Sequence, residues 1–187
     1  MGGPYHIKKL LLERFPDATE SQLRETHAYA YGGSVVQDMG YYPFGSREFS
    51  YLVHYVRSGD FVIALTRDGS DVNEYAFALG ALSHYVGDND GHPTVNHAVA
   101  LEYPKLRAKY GDHVKYGDDP KAHIKTDFGF EVVQVAKHHY DSDAYHDFIG
   151  FKVAKPLLER AFRETYGIEL KVHSVTWTWP LGHTGGR

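Results

Sequence analysis

The stretch Leu79-Gly80-Ala81-Leu82-Ser83-His84-Tyr85-Val86-Gly87-Asp88-Asn89-Asp90-Gly91-His92-Pro93 places His84, Asp88 and His92 at intervals of four residues. Four residues is slightly more than one helical turn, so the three side chains project from nearly one face and can converge on one or two cations. Upstream, Val72, Tyr75, Ala76, Leu79 and Leu82 recur at helical spacing, which predicts a helix from near Asp71 to Gly91-His92-Pro93. An apolar helix that turns into a ligand-bearing one makes the chain mainly α, with its chemistry on helices.

Working outward, the other periodic segments agree. Pro4 to Phe15 reads as a first helix with Ile7, Leu10, Leu11 and Phe15 as its apolar stripe. Asp17 or Thr19 can cap a second, from near Glu20 through His27 to Tyr31, stopping at Gly32-Gly33. Ser34 to Gly45 is rich in Gly, Pro and aromatic residues and reads as a structured loop. A third helix spans Arg47 to Arg67 with a break at Ser58-Gly59, and His54 lies inside it. After an irregular or partly helical Val95 to Tyr110 and a basic run from Lys105 to Lys115, Pro120 opens a helix through His123 and Asp127 to His138. Tyr145 to Tyr166 reads as the last long helix. Only Leu170 to Val172 and Val175 to Trp179 alternate in the strand manner. The expectation is an all-α, single-domain helical bundle over residues 1–170, followed by an irregular tail over 171–187.

Composition narrows the chemistry. A formal charge of -4 with 20 Lys and Arg residues provides no basic stripe for a phosphate backbone, which argues against duplex nucleic acid as a partner. A small, lipid or single-stranded substrate stays open. No apolar run reaches the length of a membrane span, so any membrane contact is expected to be transient and at the surface; Met1-Gly2-Gly3-Pro4 lacks the order of a signal peptide. With no cysteine and 13 histidines, any metal must be held by imidazole and carboxylate.

Ligand candidates can then be counted. His123 and Asp127 form a second pair four apart, and His6, Asp38 and His54 stand singly beside aromatic residues. A lone histidine such as His27, His97, His113 or His173 is most often a surface or hydrogen-bonded residue. A His/Asp pair four apart is often a local hydrogen bond. A His-x3-Asp-x3-His triad plus a second His-x3-Asp pair in a Cys-free chain favours metal, and ligands from four or five elements suit a polynuclear site in a bundle core.

In order, His6, Asp38 with its aromatic loop, His54, the triad His84, Asp88 and His92, and then His123-x3-Asp127 resemble the ligand set of the zinc-dependent phospholipase C family. The related secreted single-strand nucleases share that order. The resemblance covers about residues 1 to 162 and implies an all-α domain holding three Zn2+ ions bridged by a phosphodiester. It assigns Asp38, His54, His84 and Asp88 to one zinc and His92, His123 and Asp127 to another, with His97 in reserve. A third zinc would take Asp88 as a bridge, His6, and the amine and carbonyl of the first residue. The family typically has a Trp there, exposed by signal-peptide cleavage, and Met1 stands in its place. The resemblance also implies a secreted or periplasmic protein.

The implied activity is phosphodiester hydrolysis with release of a phospholipid head group. Zinc lowers the pKa of water and neutralises charge on the phosphoryl and leaving oxygens, and Asp38 is the candidate to orient or deprotonate that water. Tyr41, Tyr42, Phe44 and Tyr55 are candidate substrate-binding residues, suited to a quaternary ammonium by cation–π contact or to a base by stacking. Alternatively these rings simply pack the loop on the core. Competing functions are a single-strand nuclease or nucleotidase, a promiscuous phosphodiesterase or phosphotriesterase, and a non-catalytic module with structural metal. Tyr145-His146-Asp147 carries a His-Asp dipeptide used by another helical phosphohydrolase group, although a surface turn is its commoner meaning.

Overall fold

Thr19 caps the second helix: its hydroxyl oxygen accepts a hydrogen bond from the Gln22 amide, while the Gln22 side-chain oxygen accepts one from the Thr19 amide. The reciprocal pair satisfies two amides that a helix start otherwise leaves without partners. In the computed structural model, residues 4–43, 45–137 and 149–170 are described, and among them every regular element is helical. The elements are α1 (Pro4–Arg14), α2 (Glu20–Val35), a 3-10 turn η1 (Gln37–Tyr41), α3 (Arg47–Tyr55), α4 (Ser58–Asp68), α5 (Val72–Glu102), α6 (Pro104–Tyr110), α7 (Pro120–Ala136) and α8 (Lys155–Tyr166). The all-α expectation therefore holds. Two compact units emerge, one drawn from the chain up to Tyr85 and from Asp147 onward, the other Val86–His146.

In the first unit the core is built where apolar faces meet. Phe61, Val62 and Leu65 of α4 pack with Leu157, Leu158, Ala161 and Phe162 of α8, and a second cluster joins Leu11 of α1, Leu23 of α2 and Val72, Ala76 and Leu79 of α5. Each Val, Leu or Phe side chain among them, fully buried, is worth about 1.5–3 kcal/mol. In the second unit Val95, Val99 and Ala100 of α5 pack with Val114 and Ala122.

Four boundaries differ from the sequence expectation, each for a physical reason. α2 does not stop at Gly32-Gly33 but continues to Val35. Its glycines serve close approach: a Cβ on Gly33 would fall on the Phe77 carbonyl of α5, and one on Gly32 on the Lys152 carbonyl. Gly80 of α5 does the same from the other side against Ala30. Second, the third helix breaks at Val56 and Arg57, ahead of Ser58-Gly59, with Arg57 left-handed at φ 52°. That conformation costs a non-glycine residue about 1–3 kcal/mol; here Arg57 donates to Asp60 at 2.8 Å and to the Thr165 carbonyl at 2.7 Å, which offsets it.

Third, α5 runs through Pro93 to Glu102. An interior proline costs about 3 kcal/mol, but the buried stripe Val95, Val99 and Ala100 lies beyond it, and its burial is of comparable size. Fourth, residues 149–154 are not helical: Gly150 sits at φ 97°, the Lys152 amide donates to the Ala28 carbonyl of α2 at 2.9 Å, and α8 starts only at Lys155-Pro156. The loop expected between Ser34 and Gly45 contains η1. Leu10, placed on the apolar stripe of α1, is 42% exposed, and Leu11 is the residue that turns inward. Met1, Phe44, His138, Tyr145-His146-Asp147 and the tail 171–187 lie outside the described residues.

Candidate metal centre

Three elements of the first unit converge on one point. Asp38 comes from η1, His54 from the last turn of α3 and His84 from α5, and one ligand atom of each lies within 4.8 Å of the others. His54 Nε2 is 3.3 Å from Asp38 Oδ1 and 3.4 Å from His84 Nε2, and His84 Nε2 is 3.9 Å from Asp38 Oδ2.

The opposite edges of both rings fix their tautomers. His54 Nδ1 lies 2.7 Å from the Ser50 carbonyl and His84 Nδ1 lies 2.9 Å from the Ser34 carbonyl. A carbonyl can only accept, so each Nδ1 carries a proton and donates it. When the rings are neutral, each Nε2 then presents a lone pair, and two lone pairs and a carboxylate face one another at short range. Such a set calls for positive charge between its members. Tetrahedral zinc with nitrogen and oxygen ligands separates neighbouring ligand atoms by about 3.3–3.4 Å, close to the His54 separations. Backbone carbonyls orienting ligating imidazoles are the usual outer support of zinc. The donor set therefore fits Zn2+.

The sequence folds this way because α2 and α5 cross closely. Gly33 and Gly80 remove the Cβ atoms that would hold the helices apart, which lets the Ser34 carbonyl reach the His84 ring. Around the centre, the rings of Tyr41 and Tyr55 lie 5.8 and 5.9 Å from that of His54, and Tyr51 lies 6.2 Å from each of the two tyrosines. All three tyrosines are exposed, as is Tyr42.

The second unit brings together another group. His92 and His123 rings are 5.4 Å apart with His123 Nε2 3.3 Å from His92 Nδ1, and Asp88 Oδ1 lies 3.9 Å from His92 Nε2. His123 is buried, and its Nδ1 has no hydrogen-bond partner among the described residues. Asp127, one turn further along α7, is half-buried. His97 instead places Nδ1 3.0 Å from the Asp112 carbonyl, with its ring beside His113. His6 lies on α1, and Met1 and Phe44 fall outside the described residues.

Burial first, and the neighbouring His92 second, push His123 below the ordinary imidazole value, while Asp127 pulls it part of the way back. An unfolded chain protonates this histidine near about pH 6.5, whereas the folded metal-free chain refuses the proton until the pH is lower. Its contribution to stability is thus complete above that pH and is lost on acidification below it. The melting temperature of the metal-free protein is expected to fall more between about pH 7.5 and about pH 5.5 than that of His123→Gln; equal falls in scanning calorimetry would refute this.

Sequence reasoning passed over Tyr51, Ser50 and the Ser34 carbonyl. Tyr51 had a signal, since it lies three residues before His54 and four before Tyr55 on one helix. Among known proteins, the family model described as zinc dependent phospholipase C matches residues 5–174. No curated protein and no solved structure matches the chain.

Proposed function

We propose, from the fact that this chain belongs to the zinc-dependent phospholipase C family, that it hydrolyses phosphodiester bonds, with phospholipid head-group release as the preferred reaction. The family is one of hydrolases. The observation that carries the reading is the convergence of Asp38, His54 and His84 with both imidazoles held by backbone carbonyls.

In this reading Asp38, His54 and His84 hold one zinc, and Asp88, His92, His123 and Asp127 supply the further ligands of a three-zinc site that Met1 and His6 complete. Bound zinc supplies Lewis acidity toward phosphoryl oxygen and lowers the pKa of water. The chain's own residues do the rest. Asp38 keeps 42% of its side chain exposed, so its carboxylate can orient water and receive its proton at an Oδ atom. His54 and His84 stay fixed because each donates Nδ1–H to a carbonyl. Tyr41 and Tyr55 offer exposed rings beside His54, and Tyr51 one beside both tyrosines, for the part of the substrate beyond the phosphate. Tyr42 and Phe44 belong to the same proposed wall. Aromatic faces suit a quaternary ammonium head group through cation–π attraction and equally suit a nucleobase, which is what favours a single-strand nuclease as the second reading.

Zinc content and turnover test the proposal together. Metal analysis of the purified protein is expected to give near three zinc per chain, with hydrolysis of a phosphatidylcholine analogue faster than that of single-stranded DNA or bis(p-nitrophenyl) phosphate. Chelation is expected to abolish it. One zinc or none, or no phosphodiester turnover with zinc restored, sinks the reading; faster cleavage of DNA moves it to the nuclease.

A further inference from the structure

We infer that Ser50 is a positioning residue whose hydroxyl ties the short helix carrying Asp38 to the helix carrying His54, and so sets the spacing of two of the three ligands. The inference rests on the zinc reading above and goes beyond it, since Ser50 touches neither metal nor substrate. Ser50 is fully buried. Its Oγ donates to the Gln37 carbonyl at 2.5 Å and accepts from the Gly40 amide at 2.9 Å. Those two partners bracket Asp38, one residue before it and two after. The backbone carbonyl of the same residue accepts Nδ1–H of His54 at 2.7 Å. One serine thus fixes η1 through its side chain and the ring of His54 through its main chain.

The clamp needs close contact, and the sequence provides it. A Cβ on Gly40 would press on Ser50 Oγ and on the Ser46 carbonyl, so Gly40 is what allows α3 to come within hydrogen-bond reach of η1. α3 is capped, one turn before Ser50, by Ser46, whose side chain accepts from the Phe49 amide. Removing only the hydroxyl leaves the Gly40 amide and the Gln37 carbonyl, both in buried residues, without that partner. Asp38 then has a wider range of positions relative to His54. Because the His54 bond is to backbone, Ser50→Ala does not disturb it, and the substitution isolates the tie to Asp38.

The test compares the unsubstituted chain with Ser50→Ala, Ser50→Cys and His54→Ala. Zinc affinity is read by competition with a chromophoric chelator, and site geometry by the visible absorption of the Co(II)-substituted protein well below its melting temperature. Ser50→Ala is expected to lower affinity by about 10–100-fold, the usual effect of losing an outer partner, with weakened or shifted Co(II) bands. His54→Ala marks the full loss of the ligand set. Ser50→Cys, with a poorer donor of similar shape, is expected to fall between, and it decides the matter where Ser50→Ala does not fold. Wild-type zinc affinity and an unchanged Co(II) spectrum in either Ser50 variant overturn the inference alone; a wild-type chain that takes up no zinc overturns it together with the zinc reading.

Discussion

Asp38→Asn is expected to lower phosphodiester turnover by about 10²–10⁴-fold, the range for loss of a positioned acid–base group, which is about 3–5 kcal/mol of barrier. The substitution keeps side-chain size and one acceptor oxygen, so the carbonyl-held imidazoles of His54 and His84 still present Nε2 to a metal. It removes the charge and turns one acceptor into a donor, which defeats proton uptake from water. The loss should appear in kcat with KM little changed, and zinc content should stay within one ion of wild type. That pattern separates it from His54→Ala, where metal and activity leave together. Full activity in Asp38→Asn would refute the role given to Asp38; equal loss of zinc and activity would make it a ligand only.

The largest effect on stability is expected at the crossing of α2 and α5. Gly33→Ala and Gly80→Ala each add one methyl group that meets main-chain atoms, Phe77 and Ala81 in one case, Ala30 and Ser34 in the other. Two effects compete. Alanine favours an interior helix position over glycine by about 1 kcal/mol, whereas overpacking a tight contact costs about 1–3 kcal/mol and sometimes more. Here the obstructing atoms are backbone and cannot rotate aside, so the clash wins. The double variant is expected to lose about 3 kcal/mol or more, a large part of the roughly 5–15 kcal/mol that keeps a protein folded. At about 2–4 °C per kcal/mol for a chain of this size, the melting temperature should fall by about 6 °C or more. Zinc affinity should fall with it, because parting the helices draws the Ser34 carbonyl away from His84. A double variant as stable as wild type would show that the crossing has room for methyl groups.

Both glycines mark the limit of what the sequence discloses. Gly32-Gly33 reads equally as a helix stop and as a close approach, since both uses exploit a missing Cβ; only the partner helix decides, and it lies far away in sequence. Pro93 misled in the same manner, because the burial of Val95 and Val99 is a tertiary effect that outweighs a local breaker. The candidate ligand positions stood out because metal chemistry favours His and Asp and a helix restricts their spacing. η1 did not, as a 3-10 turn of five residues has no periodicity to detect. The outer partners were least visible of all: the groups holding His54 and His84 are carbonyls, which every residue carries.

Those carbonyls also distribute entropy. Rings already held in one orientation lose little freedom when a ligand arrives, so the ordering of His54 and His84 is charged to folding and not to capture, at about 0.5–1.5 kcal/mol for each side chain. In the metal-free chain three electron-rich atoms are meanwhile kept face to face against their mutual repulsion. The centre is therefore a locally frustrated region of the first unit, and a cation would convert that conflict into attraction.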